Sequence, residues 1–193
     1  MAAAPTLPIV LFADAQEFSR WLAQHHGKSP GAWLQLAKKG ASLRSLSYSE
    51  AVDVALTWGW IDSQKKAHDG DSWLQRFTPR GPRSLWSQIN RERVEALSER
   101  GAMHPPGLAE VERARADGRW DAAYASARRS EVPEAFAAAL ASSPAAQAAF
   151  ARLDGANRYA MLWRLQTAKK PETRAKHIAR FVAMLEQGRK IHE

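Results

Sequence analysis

The sequence contains no cysteine. Disulfides, thiolate metal ligands and cysteine nucleophiles are therefore excluded, a usage compatible with a reducing compartment. No apolar run approaches the length needed to span a bilayer. The opening stretch MAAAPTLPIVLFADAQEF has no basic leader, and Pro5 and Pro8 interrupt its apolar residues. The expectation is a cytoplasmic chain that is not exported. A glycine-rich phosphate loop, a nucleophile elbow and an HExxH zinc motif are all missing. The six histidines show no ligand spacing, and the adjacent His25 and His26 cannot face one way on a helix; no metal and no cofactor are expected.

What is present is enough for a folded core: 193 residues, of which 45% are hydrophobic, fit one domain or one with a helical appendage. The formal net charge is +8 with a pI near 10.1, and basic residues exceed acidic ones both before and after residue 120. Such a field favours anionic partners, among them nucleic acid, phosphorylated metabolites and acidic surfaces. A general arginine bias would produce the same excess without any partner.

Periodicity and punctuation divide the chain into elements. Asp14 and Glu17 open a helix that runs to about Gly27 with Phe18, Trp21 and Leu22 on one face. Residues 32–38 read as a strand, and the capping box Ser47-Tyr-Ser-Glu50 starts a second helix ending near Gly59. Residues 60–67 and 72–78 form an antiparallel pair around Asp69-Gly70. Along the second strand, alternation places Trp73, Gln75 and Phe77 on one face and Leu74, Arg76 and Thr78 on the other. Ser84 is read as the cap of a helix with Trp86, Ile89, Val94 and Leu97 inward, and Pro105 opens another that stops at Gly118. From Asp121 onward the chain turns alanine-rich and helical, with starts at Pro133, Pro144, Ala156 and Pro171. The expected fold is α+β: residues 1–120 carry a small antiparallel sheet with helices, and 121–193 form an all-helical module packed on it.

Residues 47–90 concentrate the chemistry, with Trp58, Trp60, Trp73 and Trp86 among arginines and hydroxyls. In Trp58-Gly-Trp60-Ile-Asp62, two indoles frame a carboxylate. One reading makes Asp62 an acceptor or base in an aromatic cleft; the other makes the indoles core and Asp62 a partner of Arg76 or Arg80. Arg80, Arg83 and Ser84 stand beside a helix start, where free N–H groups favour an anion. Together Trp60, Asp62, Arg76, Arg80, Arg83, Ser84 and Asn90 are the expected lining of one cleft for a small anionic or zwitterionic ligand, held without covalent chemistry. Two alternatives stand beside it. Arginines interleaved with aromatics over 73–86 suit a nucleic-acid-binding surface, and Asp62 as acid or base with arginine clamps would suit an enzyme. Lys169, Lys170, Arg174 and Lys176 gather cations at a helix start, where the dipole disfavours them, and are the candidate partner-docking residues.

The runs YSEAVDVALTWGWIDSQ, RFTPRGPRSLWSQIN, GAMHPPG, DGRWDAAY and AKKPETRAKHIARFVAML resemble the bacterial YdeI/OmpD-associated family, the bacteriocin-protection proteins, from about Phe12 to Gly188. The pattern falls on Tyr48, Glu50, Asp53, Gly59 to Asp62, Phe77 to Arg80, Ser84, Trp86, Ser87 and Asn90, and on Lys169, Thr173 and Arg174. The resemblance implies protection against antimicrobial peptides and association with an outer-membrane porin. It brings no reaction and no catalytic residues.

Overall fold

The computed structural model describes residues 6–192. Along them run β1 (Ile9–Leu11), α1 (Ala15–His25), β2 (Ala32–Ala37), α2 (Tyr48–Thr57), β3 (Trp60–Ala67), β4 (Ser72–Pro79), α3 (Gln88–Glu99), α4 (Pro105–Ala116), α5 (Glu134–Ala141), α6 (Pro144–Ala151), α7 (Gly155–Thr167) and α8 (Pro171–Glu186). The fold is α+β. Two compact units divide it: one comprises the chain up to Leu85 with Asn90–Asp121, the other Trp86–Ile89 with Ala122 onward.

In the first unit the strands lie in the order β1-β2-β4-β3. The β2–β4 and β3–β4 pairs are antiparallel as expected, but β1 runs parallel to β2, so the sheet is mixed. Three residues are too few to show alternation, and a parallel neighbour reached through a helix leaves no hairpin signal in the sequence. One face of the sheet carries Ala32, Leu34 and Leu36 opposite Phe77, Gln75 and Trp73. Phe18 of α1 meets this face, its ring 5.8 Å from that of Phe77. The caps behave as the sequence predicts. Asp14 accepts from the Glu17 amide, and Ser47 and Glu50 form a reciprocal capping box that sets the buried side of α2, Ala51, Val52, Ala55 and Leu56.

Ser84 does not cap α3. Its hydroxyl accepts from the Gly81 amide at 3.0 Å and closes a tight turn, while the helix starts four residues later at Gln88. Val94 and Leu97 are buried as expected, whereas Ile89 is 39% exposed. The stripe fails there because Trp86 precedes the helix, and Ile89, five residues before Val94, is turned about 140° away from it around the helix axis.

α4 approaches the end of α2 unusually closely. A Cβ on Gly107 would lie 2.2 Å from the Thr57 carbonyl oxygen, and one on Gly59 would lie 2.9 Å from that of Pro106. The His104 amide donates to the Thr57 carbonyl at 3.1 Å. Gly59 has φ +72°, which few residues with a Cβ adopt, and it turns the chain from α2 into β3. One turn further along α4, the buried Glu110 pairs with Arg119 at 3.0 Å and with Arg113 at 2.6 Å. Arg119 also grips Asp117 and donates to the Ser84 carbonyl at 3.1 Å. Burial opposes its charge, but the bonds to Asp117 and Glu110 outweigh that and raise its pKa. Trp120 is buried, with the guanidinium groups of Arg91 and Arg115 over its ring.

The second unit is helical apart from a parallel bridge between Ser87 and Tyr124. Its core gathers Phe136, Leu140, Phe150, Met161, Leu162, Leu165, Phe181 and Leu185. Phe136 stands edge-on to both Phe150 and Phe181. Ser143 and Asp154 cap their helices, and prolines open α6 and α8 as the sequence predicts.

Two expectations follow for urea unfolding. Gly107→Ala forces a methyl group into a carbonyl and should cost about 1–3 kcal/mol, while Gly70→Ala, which meets nothing within 4 Å, should stay within about 0.5 kcal/mol of the parent. Glu110→Ala strands the buried Arg119 and should cost about 3–5 kcal/mol; a loss no larger than that of Gly70→Ala would refute the role given to the pair.

Candidate functional site

The seven residues expected to line one cleft are dispersed by the strand geometry. Trp60 is core: its indole N–H donates to the His26 carbonyl at 3.2 Å and its ring meets Trp21 edge-on at 5.8 Å. Asp62 pairs in register with Phe77, whereas Arg76 pairs with Trp33. Because Phe77 and Arg76 are successive residues of β4, Asp62 and Arg76 project from opposite faces. Arg80 is buried in the elbow after β4, where its amide donates to the Gly59 carbonyl at 3.0 Å and its guanidinium to that of Leu85 at 3.2 Å. Arg83 is exposed, Ser84 closes the turn already described, and Asn90 is half-buried on α3. In the second unit Lys169, Lys170, Arg174 and Lys176 are all exposed, and Arg174 donates to the Ala168 carbonyl at 3.2 Å.

What the structure does bring together lies at the far end of the same hairpin. The β3–β4 register shifts between Asp62 and Lys65, so that Lys65 faces Gln75, Lys66 faces Leu74 and Ala67 faces Trp73. One extra residue in β3 is accommodated there, a bulge that re-aims the lysines. Lys65 then shares the face of Trp73, while Lys66 lies on the other, its ammonium 4.4 Å from the Trp33 ring centre. A surface cleft of about 390 Å³ is lined by Lys38, Lys65, Lys66, Ala67 and Trp73. Tyr48 flanks it: its ring is 5.9 Å from Trp73, and its hydroxyl donates to Asp62 at 2.7 Å.

The hairpin tip beside the cleft is braced. The Asp69 carboxylate accepts from the Asp71 amide and from both the amide and hydroxyl of Ser72, and these bonds, the Ser72 hydroxyl foremost, hold its pKa below the usual carboxylate value. Lys38 donates from its ammonium to the carbonyls of Asp69 and Gly70, at 2.7 and 3.2 Å. Lys38 and Lys66 are thus positioned by protein contacts, and Lys65 extends from the strand toward solvent. The cleft thus combines a lining of three lysines, which attracts an anion, with the apolar wall of Trp73. Sequence reasoning singled out Trp73 and Asp62 but not these lysines, whose convergence depends on the bulge.

A second aromatic group lies at the other end of the first unit. Trp58 stacks on His104, with ring centres 4.0 Å apart, and has His26 at 5.0 Å. Its indole N–H donates to the Ser19 hydroxyl at 3.1 Å. Burial, and secondarily the charge of His26, pushes the His104 pKa below the ordinary histidine value. A base whose folded pKa is depressed contributes stability above its unfolded pKa and loses it as pH falls through the folded value. Acidification from neutrality through the histidine range should therefore destabilise the protein, and His104→Gln should flatten that part of the profile in thermal melts across pH.

Comparison with family models separates the two parts of the chain. Residues 10–110 match the family described as Domain of unknown function (DUF8412), and residues 129–188 match the one described as Bacteriocin-protection, YdeI or OmpD-Associated. No curated protein matches, and no solved structure does. The resemblance to the YdeI/OmpD-associated proteins thus holds over the C-terminal part, and the motifs of the hairpin and of α2 fall within the other family. With more than half of its length matched over residues 10–110, the chain belongs to the DUF8412 family and carries a bacteriocin-protection, YdeI or OmpD-associated region at residues 129–188.

Proposed function

We propose that the protein binds a small anionic ligand, without covalent chemistry, in the cleft between Lys38, Lys65, Lys66 and Trp73, and that this binding serves a protective role of the bacteriocin-protection type. The observation that carries the reading is a single cleft lined by three lysines together with Trp73. The protein's overall charge of +8 adds a long-range attraction for anions. Asp62, held by the Tyr48 hydroxyl beside Trp73, supplies an acceptor at the rim for a ligand that also carries an amine, which extends the class to zwitterions.

Calorimetric titration with dicarboxylates, sugar phosphates and nucleotides tests it. A hit should lose about tenfold or more in affinity in Lys65→Glu, since reversing one charge beside the ligand removes an attraction and adds a repulsion worth more than about 1.4 kcal/mol. Trp73→Leu should weaken the same hit while leaving the fold intact. Binding unaffected by both changes would overturn the assignment. Turnover of the hit would replace binder with enzyme, and a preference for oligonucleotides that collapses between low and physiological salt would replace it with the nucleic-acid reading.

A further inference from the structure

α1 and α2 lie side by side, and between them a groove of about 260 Å³ opens that plays no part in the lysine cleft. α1 lines it with Ala15, Gln16 and Ser19, and α2 with Asp53, Val54 and Thr57. Each set falls at positions i, i+1 and i+4, so each occupies one helix face. Leu97, Ala102 and His104 close the far side. Small residues leave the space: neither Ala15 nor Ala102 reaches far enough to fill it. The volume suits one ring with a short side chain.

The polar groups at its edge are few and specific. The Asp53 Oδ1 is held by Arg93, whose guanidinium also bonds Ser49, while Oδ2 takes no hydrogen bond among the described residues. Ser19 accepts from the Trp58 indole, which leaves its own hydroxyl proton to give. The His104 ring, stacked on Trp58, makes no hydrogen bond through either nitrogen among the described residues, and its depressed pKa keeps it neutral at pH 7. Asp53 is therefore the one formal charge on the groove's lining at that pH.

From this geometry we infer that the groove is a binding site for a small primary amine with an aromatic or branched apolar body, its ammonium on Asp53 and its body against Val54 and Leu97. In a protein with an excess of positive charge, a lining carboxylate that keeps one oxygen available over an apolar floor selects against the anions that the rest of the surface attracts. Arg93 shares the carboxylate, so the ammonium competes for one oxygen and affinity is modest. The inference does not rest on the lysine cleft, and either can fail alone.

Proton–nitrogen NMR titrations of the full chain with 2-phenylethylamine, phenylacetate and 2-phenylethanol test it. The amine should shift the Trp58 indole N–H and the amides of Ser19, Val54 and Thr57 saturably, with about tenfold or greater preference over the carboxylate. Asp53→Asn should abolish the preference. Because that change also releases Arg93, Ala102→Trp, which fills the groove from an exposed position, supplies a second arm and should abolish binding of all three probes. Equal affinity for amine and carboxylate, a silent Trp58 signal, or amine binding retained in folded Ala102→Trp would each overturn the inference.

Discussion

The first unit depends on how closely two backbones meet where α4 begins. Gly107 lets α4 sit against the Thr57 carbonyl, and Gly59 makes room for Pro106. From that contact a series of bonds runs outward: the Gly59 carbonyl receives the Arg80 amide, the Thr57 carbonyl receives the His104 amide, and Glu110 on α4 reaches Arg119, which holds the Ser84 carbonyl. The elbow after β4 is thus fixed at both ends, by the Gly59 carbonyl at Arg80 and by Arg119 at Ser84. A buried ion pair is expensive to desolvate, and it persists here because Glu110 and Arg119 find further partners in Arg113, Asp117 and the Ser84 carbonyl.

Rigidity is distributed differently at the hairpin. Near Trp60 the sheet is core, with its indole and phenyl neighbours at van der Waals distances, whereas beyond the bulge most of β3 is exposed and the tip is stabilised by polar bonds from Asp69, Ser72 and Lys38. Cationic side chains therefore gather where the strand leaves the core, and an ordered turn keeps them in place. A fixed backbone there carries long cationic side chains, two of them, Lys38 and Lys66, held by carbonyls and by an indole.

Much of this fold was legible because its signals are local. The capping box at Ser47, the Asp69-Gly70 turn and the proline helix starts each depend on a few adjacent residues, and each forms as read. What escaped was set by partners far along the chain. β1 is defined by β2 across an intervening helix; Ser84 looks like a cap until the Gly81 amide claims it. Two residues of the expected arginine cleft, Asp62 and Arg76, are parted by parity, since a single step along β4 sends Arg76 and Phe77 to opposite sides. The lysine cleft and the Trp58–His104 stack were unreadable for the converse reason: one needs a bulge that shifts register, and the other joins the residue after α2 to the residue before α4.

The assignment of Trp86–Ile89 to the helical unit bears on how such a chain can be cut. Tyr124 donates its amide to the Trp86 carbonyl, and its own carbonyl accepts from the Gln88 amide; both partners lie upstream of the N-terminal unit's last stretch, Asn90–Asp121. A fragment beginning at Ala122 would leave these Tyr124 groups without their protein partners, and one ending at Asp121 would carry Trp86 away from the unit it belongs to. The two family matches follow one another along the chain, but the two compact units do not, so a single crossover between residues 110 and 129 could not exchange one unit for a homologue without splitting Trp86–Ile89 from the rest of its own.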